Sequence, residues 1–441
     1  MYSLMDTTLE SNKYLKINFD GGDLSSDAGL LLLKEFICKI GFDSLLSQQF
    51  HTNDSARFRL HTDDKNLAQV IYQIIAAYFE DDCADELTND PVFTAILDKN
   101  ALASQPTLSR FYNRMDEDTL AQFDVINKML RSRVYCQKNP EMLLLDLDST
   151  LLATYGKQEG EKFNYHYQAH GYHPLLCYDG LTGDLLKTQL RKGSDYCCNG
   201  VREFMQPLFD EFLEDRPDTK LFLRGDSGFA SPDLYNQCET NGTSYAIRLK
   251  ENSVLRHLAD HLDAELTDLT KDNLTDYAVV YGEFYYQAGS WDYPRRVACK
   301  VEKHSNQIFR MHTFIVTNMD LEPEQVIRFY CNRGRMENFI KEGKLGFDFG
   351  AVSSRSEIVN ANRLQIHALA YNIFNWFRRL VLPEEMRKNL IDTVRLKLLK
   401  IAVRVVRSAR YITFKLCSSC PYKREFFEIL ENIRRLRPQT A

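Results

Sequence analysis

Residues 142–150 read Met142-Leu-Leu-Leu-Asp-Leu-Asp-Ser-Thr150, and the rest of the fold is read outward from them. Met142–Asp148 reads as a buried strand. Side chains alternate along a strand, so Asp146 and Asp148 point to one face. A carboxylate at the end of an apolar strand is either a turn former or a site residue. These few residues leave both readings open.

Downstream, His173–Tyr178 and Leu185–Arg191 read as two more strands, joined at Asp179-Gly-Leu-Thr-Gly183, a hairpin turn by composition. Arg202–Leu213 is an amphipathic helix. Lys220–Arg224 is a fourth strand, ending at Gly225-Asp226. Ser231 caps a helix through Cys238, and Thr243–Leu249 is a fifth strand. The order β-β-β-α-β-α-β, with right-handed crossovers, predicts an α/β fold of ribonuclease-H-like topology. Residues 250–310 interrupt it as a β-rich insertion containing Tyr277–Tyr286 and Arg295–Val301, and His312–Thr317 is a further strand. Before residue 135 the chain is mainly helical, with apolar spacing over Asp27–Ile40 and Asn66–Phe79. The short helix Pro91–Leu97 and the polar helix Pro106–Met115, which presents Thr107, Ser109, Arg110, Asn113 and Arg114, suggest a helix-turn-helix; an ordinary helical bundle is the alternative. After residue 360, Asn362–Leu380 is apolar nearly all round. Arg387–Val406 reads as a basic helix, Tyr411–Leu416 as a strand and Lys423–Leu436 as a closing helix.

Two further stretches carry chemistry. Leu221–Phe229 reads LFLRGDSGF, so Asp226 also follows an apolar strand, with glycines that permit close backbone approach. Its Arg-Gly-Asp tripeptide resembles an adhesion motif, but a strand end is a poor place for one. Pro323–Lys344, PEQVIRFYCNRGRMENFIKEGK, reads as one helix with Pro323 at its first position, fraying at Gly343. Tyr330, Arg333, Glu337 and Lys344 stand at offsets of 3, 7 and 14 from Tyr330. At about 100° per residue these fall within roughly 60° of one another, with Lys341 on the same stripe. A salt-bridged solvent face is the alternative.

Composition narrows the class. The chain has 441 residues and a net charge of −6, so two to three domains are expected and no global basicity announces nucleic acid. The charge is uneven: residues 395–441 hold twelve Lys/Arg against three Glu. That suits a local DNA-binding surface. The N-terminal stretch MYSLMDTTLESNKYLKI has no apolar signal region, and there is no long apolar run, so a cytoplasmic protein without a membrane span is expected. Eleven scattered cysteines argue against a disulfide framework. Cys417 and Cys420 form a lone pair read as free thiols, with zinc as the alternative.

Taken together, the Asp148 strand, Arg224-Gly-Asp-Ser-Gly-Phe229 and the Tyr330–Arg333–Glu337–Lys344 spacing resemble the bacterial insertion-sequence transposases of transposase DDE domain group 1, whose helix carries a Y-R-E-K signature. The resemblance covers roughly 137–380. It implies that Asp148, Asp226 and Glu337 are the catalytic, metal-binding triad, with Asp146 as the rival first acid. It implies Mg²⁺ as cofactor, with Mn²⁺ expected to substitute. The family reading is a cut-and-paste DNA transposase that binds terminal inverted repeats, cleaves and joins 3′ ends to target DNA, as a homodimer on paired ends. A DDE nuclease without joining and a non-catalytic repressor are the alternatives. Arg333, Lys341 and Lys344 would hold DNA phosphates, with Tyr330 beside them. The domains expected are 1–135 for helical DNA-end binding, 136–249 with 311–382 for catalysis, 250–310 for the insertion and 383–441 for the basic C-terminal region. Arg110 and Arg114 are the expected end-binding contacts.

Two constellations stay open. His166, His170 and His173 lie between the first two strands, as plain loop residues, DNA contacts or zinc ligands. Trp291, in the turn-like Gly289-Ser-Trp-Asp-Tyr-Pro294, is expected to be exposed and to stack on an unpaired base, as a tryptophan does in related transposases with such an insertion. The alternative is that the aromatics around it are a local core.

Overall fold

The computed structural model describes residues 6–437 except 57, 272–275 and 308. The outermost residues of the expected terminal domains, and 272–275 and 308 of the expected insertion, lie outside the described residues. The chain divides into two compact units, 1–137 with 342–351 and 365–441, and 138–341 with 352–364.

The second unit is built on one mixed eight-stranded sheet. Its strands are β1 (Met142–Ser149), β2 (Leu175–Asp179), β3 (Leu185–Gln189), β4 (Lys220–Gly225), β5 (Ser244–Leu249), β6 (Ala278–Tyr286), β7 (Arg295–Lys303) and β8 (Arg310–Thr317). The spatial order is β6-β7-β8-β5-β4-β1-β2-β3. Only β1, β4 and β5 run parallel to one another, through the ladders Arg224↔Asp146 and Gly225↔Ile247. Leu143–Leu147 is accordingly buried without a break, as a central parallel strand must be. Helices α1 (Val201–Asp215) and α2 (Pro232–Thr240) make the crossovers β3-α1-β4 and β4-α2-β5. The consequence for function is positional: the C-terminal ends of β1, β4 and β5 open at one edge of the sheet.

Three local readings change. Residues 250–310 begin with two helices, α3 (Ser253–Leu258) and α4 (Asp260–Thr270), and β6 and β7 extend the main sheet through β8 instead of forming a sheet of their own. Asn252 caps α3 through Leu255 N–H, and Leu255, Leu262 and Leu266 supply the buried helical stripe. The helix read over 323–344 is two helices, α5 (Pro323–Cys331) and α6 (Gly334–Gly346). The break falls where Arg333 turns in to donate to the Leu147 carbonyl at 2.6 Å, beside Gly334, a poor helix former. Gly343 does not fray α6. A Cβ there would meet the Phe349 ring at 2.5 Å, so glycine lets that ring close on the helix.

The first unit is described by its own core. Its helices include Leu30–Lys39, Phe42–Gln49, Asp63–Ile75, Glu117–Gln137 and Lys423–Arg435, with most of the 25-residue helix Glu357–Val381. Phe36 meets Phe377 edge-on at 5.6 Å, and the 423–435 helix packs on 30–39. Buried Arg395 donates to the carbonyls of Ile74, Ile75 and Gly346, which ties two other stretches of sequence to one side chain. The expected ranges 1–135 and 383–441 thus share one unit. The basic helix read over 387–406 is mostly absent. Val403–Arg407 is a strand paired with Ile412–Leu416, because Val403, Val405 and Val406 favour a pleated, half-buried surface over a helix.

Candidate active site

Asp148 occupies the penultimate position of β1, and Asp226 immediately follows β4. Asp226 caps a short 3₁₀ turn, accepting from Gly228 N–H at 2.8 Å. Both carboxylates line one cavity of about 470 Å³, together with Ser149, residues 164–167, His173, residues 193–197 and Lys250. Lys250 directly follows β5. The floor therefore gathers the residues at the ends of the three parallel strands, where an α/β sheet presents its site.

Asp148 accepts from Ser149 N–H at 2.8 Å and pairs with Arg333 Nη2 at 3.1 Å. Burial pushes its carboxyl up to about 6; Arg333 holds it down, while the charges of Asp226 and Glu337 push it further up. That mutual repulsion marks three acids whose fields overlap at Asp148. Glu337 itself is exposed on the first turn of α6, and among the described residues it does not line the cavity.

Asp146 does something else. It is fully buried, and Arg224 grips it in two hydrogen bonds of 2.7 Å while donating a third to the Phe329 carbonyl. A Cβ on Gly180 would meet the Asp146 carboxylate at 2.2 Å, so the turn after β2 closes directly over this pair. The Arg-Gly-Asp arginine is 1% exposed and serves this pair, which removes the adhesion reading.

The remaining expected residues divide. Tyr330 packs against the cluster of Ala246, Ala298, Ile315, Val326 and Ile327, and burial raises its phenol with Arg333, Arg248 and Asp226 nearby. Arg333 is 13% exposed, and among the described residues its buried Nε has no partner. Lys341 is exposed, whereas Lys344 is half-buried and burial lowers its ammonium pKa. Arg110 is exposed. Arg114 is not the free contact expected: it pairs with Asp63 at 2.7 Å and donates to Thr52 Oγ1 at 3.0 Å. Trp291 is likewise not exposed. It is 7% accessible, edge-on to Tyr235 and Tyr286 at 5.3 Å each, with the Arg295 guanidinium over its ring. A turn-like sequence does not keep a large apolar ring in water when three aromatic or cationic neighbours can cover it.

Of the three histidines, His166 and His173 line the cavity, and His170 faces Glu161 at 2.8 Å outside it. His173 is buried against the Asp195 carbonyl at 2.8 Å, and burial lowers its pKa. The sequence reading missed Tyr165, Tyr167, Tyr196, Cys197 and Lys250 as cavity residues. Only Lys250 had a legible signal, its place after a strand in the same position that Asp226 takes after β4.

The residues fit a hard divalent cation as two carboxylates sharing an open cavity. Among the described residues no three of His, Cys, Asp and Glu gather closely enough to hold a metal ion between them. Mg²⁺ is commonly held by one or two carboxylates plus substrate phosphate, so that is the fit the donor set supports.

Residues 7–438 match the family described as transposase DDE domain group 1. The chain belongs to that family. No curated protein sequence matches it. Among solved structures it is similar to the piggyBac transposase synaptic complex with hairpin DNA, seen by cryo-EM, at 13% identity and a TM-score of 0.43, over 95% of this chain and 86% of that one. It is also similar to the Mos1 transposase paired-end complex with left transposon end, at 13% identity and a TM-score of 0.18, over 44% of this chain and 65% of that one. The DDE transposase has eleven free thiols, Cys417 and Cys420 included, and among the described residues no helix long and apolar enough to cross a membrane.

Proposed function

We propose that this DDE transposase is a cut-and-paste enzyme that binds the terminal inverted repeats of an insertion sequence, cleaves the DNA with Mg²⁺ and joins the freed 3′ ends to target DNA. The observation that carries the reading is the cavity at the ends of β1 and β4, where Asp148 and Asp226 converge within the field of Glu337. The strand order β3-β2-β1-β4-β5 supports a ribonuclease-H-like core, with β8, β7 and β6 as its extension. The helices of residues 30–137 support a DNA-end-binding role for the first unit.

The roles follow from chemistry. Asp148 and Asp226 would hold the ions, with Glu337 as the third acid. Divalent ions there would activate water and stabilise the leaving oxyanion. Arg333, whose guanidinium is partly exposed beside Asp148, is suited to grip a non-bridging phosphate oxygen, and Lys341 to contact the adjacent backbone. A homodimer on paired ends would bring two such cavities to one target.

The test is a Mg²⁺-dependent assay with a linear DNA carrying the element's ends and a supercoiled target. Cleavage at the ends followed by covalent joining is the expected result. Cleavage without joining would favour a nuclease, and binding without either would favour a repressor.

A further inference from the structure

Outside the cavity, the least explained feature of the first unit is the hairpin formed by Val403–Arg407 and Ile412–Leu416, closed by Ser408 N–H on the Tyr411 carbonyl at 2.9 Å. Val403 and Val405 face inward and are 1% and 4% exposed. Arg404, Arg407, Arg410 and Lys415 are exposed. Among the described residues, none of these four makes an ion pair or a side-chain hydrogen bond. Elsewhere Arg114, Arg224, Arg333 and Arg378 are each held by a carboxylate.

The pairing sharpens the point. Arg404 lies directly opposite Lys415 across the strands. Like charges directly opposite destabilise a sheet, and among the described residues no acid pairs with either of them. The exposed Asp20 and Asp23 precede strand Leu24–Ser25, the other neighbour of Val403–Arg407, yet neither reaches Arg404 as an ion pair. Protection of a sheet edge explains Lys415, because Ile412–Leu416 is the outer strand. It does not explain Arg404 and Arg407 on the middle strand, nor Arg410 in the turn. Beyond its two-residue pairing with Leu24–Ser25 the hairpin is a two-stranded ribbon, an element that the major groove of duplex DNA admits, and its cations complement the phosphate charge.

We propose that the hairpin 403–416 is a duplex-DNA contact in which Arg404, Arg407, Arg410 and Lys415 neutralise backbone phosphates. It rests on the reading of the chain as an enzyme acting on DNA, and it adds a contact outside both the cavity and the polar helix at 105–112. Phosphate contact carries no sequence information, so the hairpin sets affinity and register, not choice of end.

The test uses the full-length chain and a 30-base-pair duplex lacking end sequence, with affinity measured from 50 to 200 mM salt. Each neutralised phosphate contributes about 0.9 to the slope of log K against log salt. The variant carrying Arg404→Ala, Arg407→Ala, Arg410→Ala and Lys415→Ala is expected to lose roughly 3 to 4 units of slope. It should melt no lower than the wild type. If that variant fails to fold, Arg404→Gln and Lys415→Gln alone should each lower the slope by about 1. Wild-type binding with an unchanged slope in the variants overturns the hairpin contact. Failure of the wild type itself to bind duplex DNA overturns instead the reading of the protein as a DNA-acting enzyme.

Discussion

Asp146 and Asp148 sit two residues apart on one face of β1 and meet opposite fates. Asp146 is sealed under Gly180 with the Arg224 fork, and Asp148 opens to the cavity beside Asp226. Substitutions should separate them. Asp148→Asn and Asp226→Asn are expected to abolish Mg²⁺-dependent cleavage while DNA binding persists. Asp146→Asn leaves Arg224 buried without its partner, which costs about 3–5 kcal/mol. A melting curve and a cleavage assay on the three variants check this; a stable, inactive Asp146→Asn with an active Asp148→Asn would reverse the assignment. Arg333 allows a second test. Its charge favours the ionised Asp148, whose carboxyl lies at about 6, so protons compete with Mg²⁺ below that pH. The Mg²⁺ needed for half-maximal cleavage should rise as pH falls through about 6. In Arg333→Gln the carboxylate takes its proton more readily, so the rise should begin at higher pH. The placing of Asp148 and Asp226 at strand ends was legible in the sequence, because each closes an apolar strand run. The preference for Asp148 over Asp146 came from the resemblance and not from the strand pattern, because which of them faces the cavity depends on the Arg224↔Asp146 register between strands 78 residues apart.

Elements were legible where one period governed them and illegible where tertiary contacts overrode it. The strand order from β1 to β5 followed from apolar runs and turn residues. Helices α3 and α4 carried a helical stripe in Leu255, Leu262 and Leu266 that the aromatic strands after them overshadowed. The second strand of the 403–416 hairpin was legible, but the first was read as helix because its arginines suited a basic helix as well as a ribbon. Trp291 shows the same limit, since its neighbours Tyr235 and Tyr286 are distant in sequence or strand-bound. Trp291→Ala is therefore expected to cost about 3–5 kcal/mol of stability. It should depress every step of the reaction equally, and selective loss of flanking-DNA release at unchanged melting temperature would restore a base-stacking role. Gly343→Ala on α6 tests the packing there. The added methyl drives into the Phe349 ring and should cost about 1–3 kcal/mol, with Phe349→Leu recovering much of it.

At the scale of the molecule, the chain leaves the first unit at residue 137, returns for 342–351, crosses once more and ends there from 365 onward. Helix α6 therefore begins in the unit that holds Asp148 and Asp226, with Glu337 in its first turn, and finishes in the other. The boundary expected near residue 135 falls where the pattern changes from helices to strands, and the first unit also takes in later segments. The 423–435 helix covers 30–39, Phe377 covers Phe36, and Arg395 satisfies the carbonyls that end the 63–75 helix. A fragment of residues 1–137 would expose Phe36 and lose those donors, leaving apolar surface and unpaired carbonyls. It is expected to lack a cooperative thermal transition and to bind a hydrophobic dye, whereas the full chain melts cooperatively. The DNA-end binding proposed for this unit must then be measured in the whole protein, with Arg110→Ala expected to weaken it. Arg114→Ala should instead destabilise the unit by removing the partner of Asp63. A fragment 1–137 that melts cooperatively and still selects end DNA would show that the later segments decorate this unit and do not complete it.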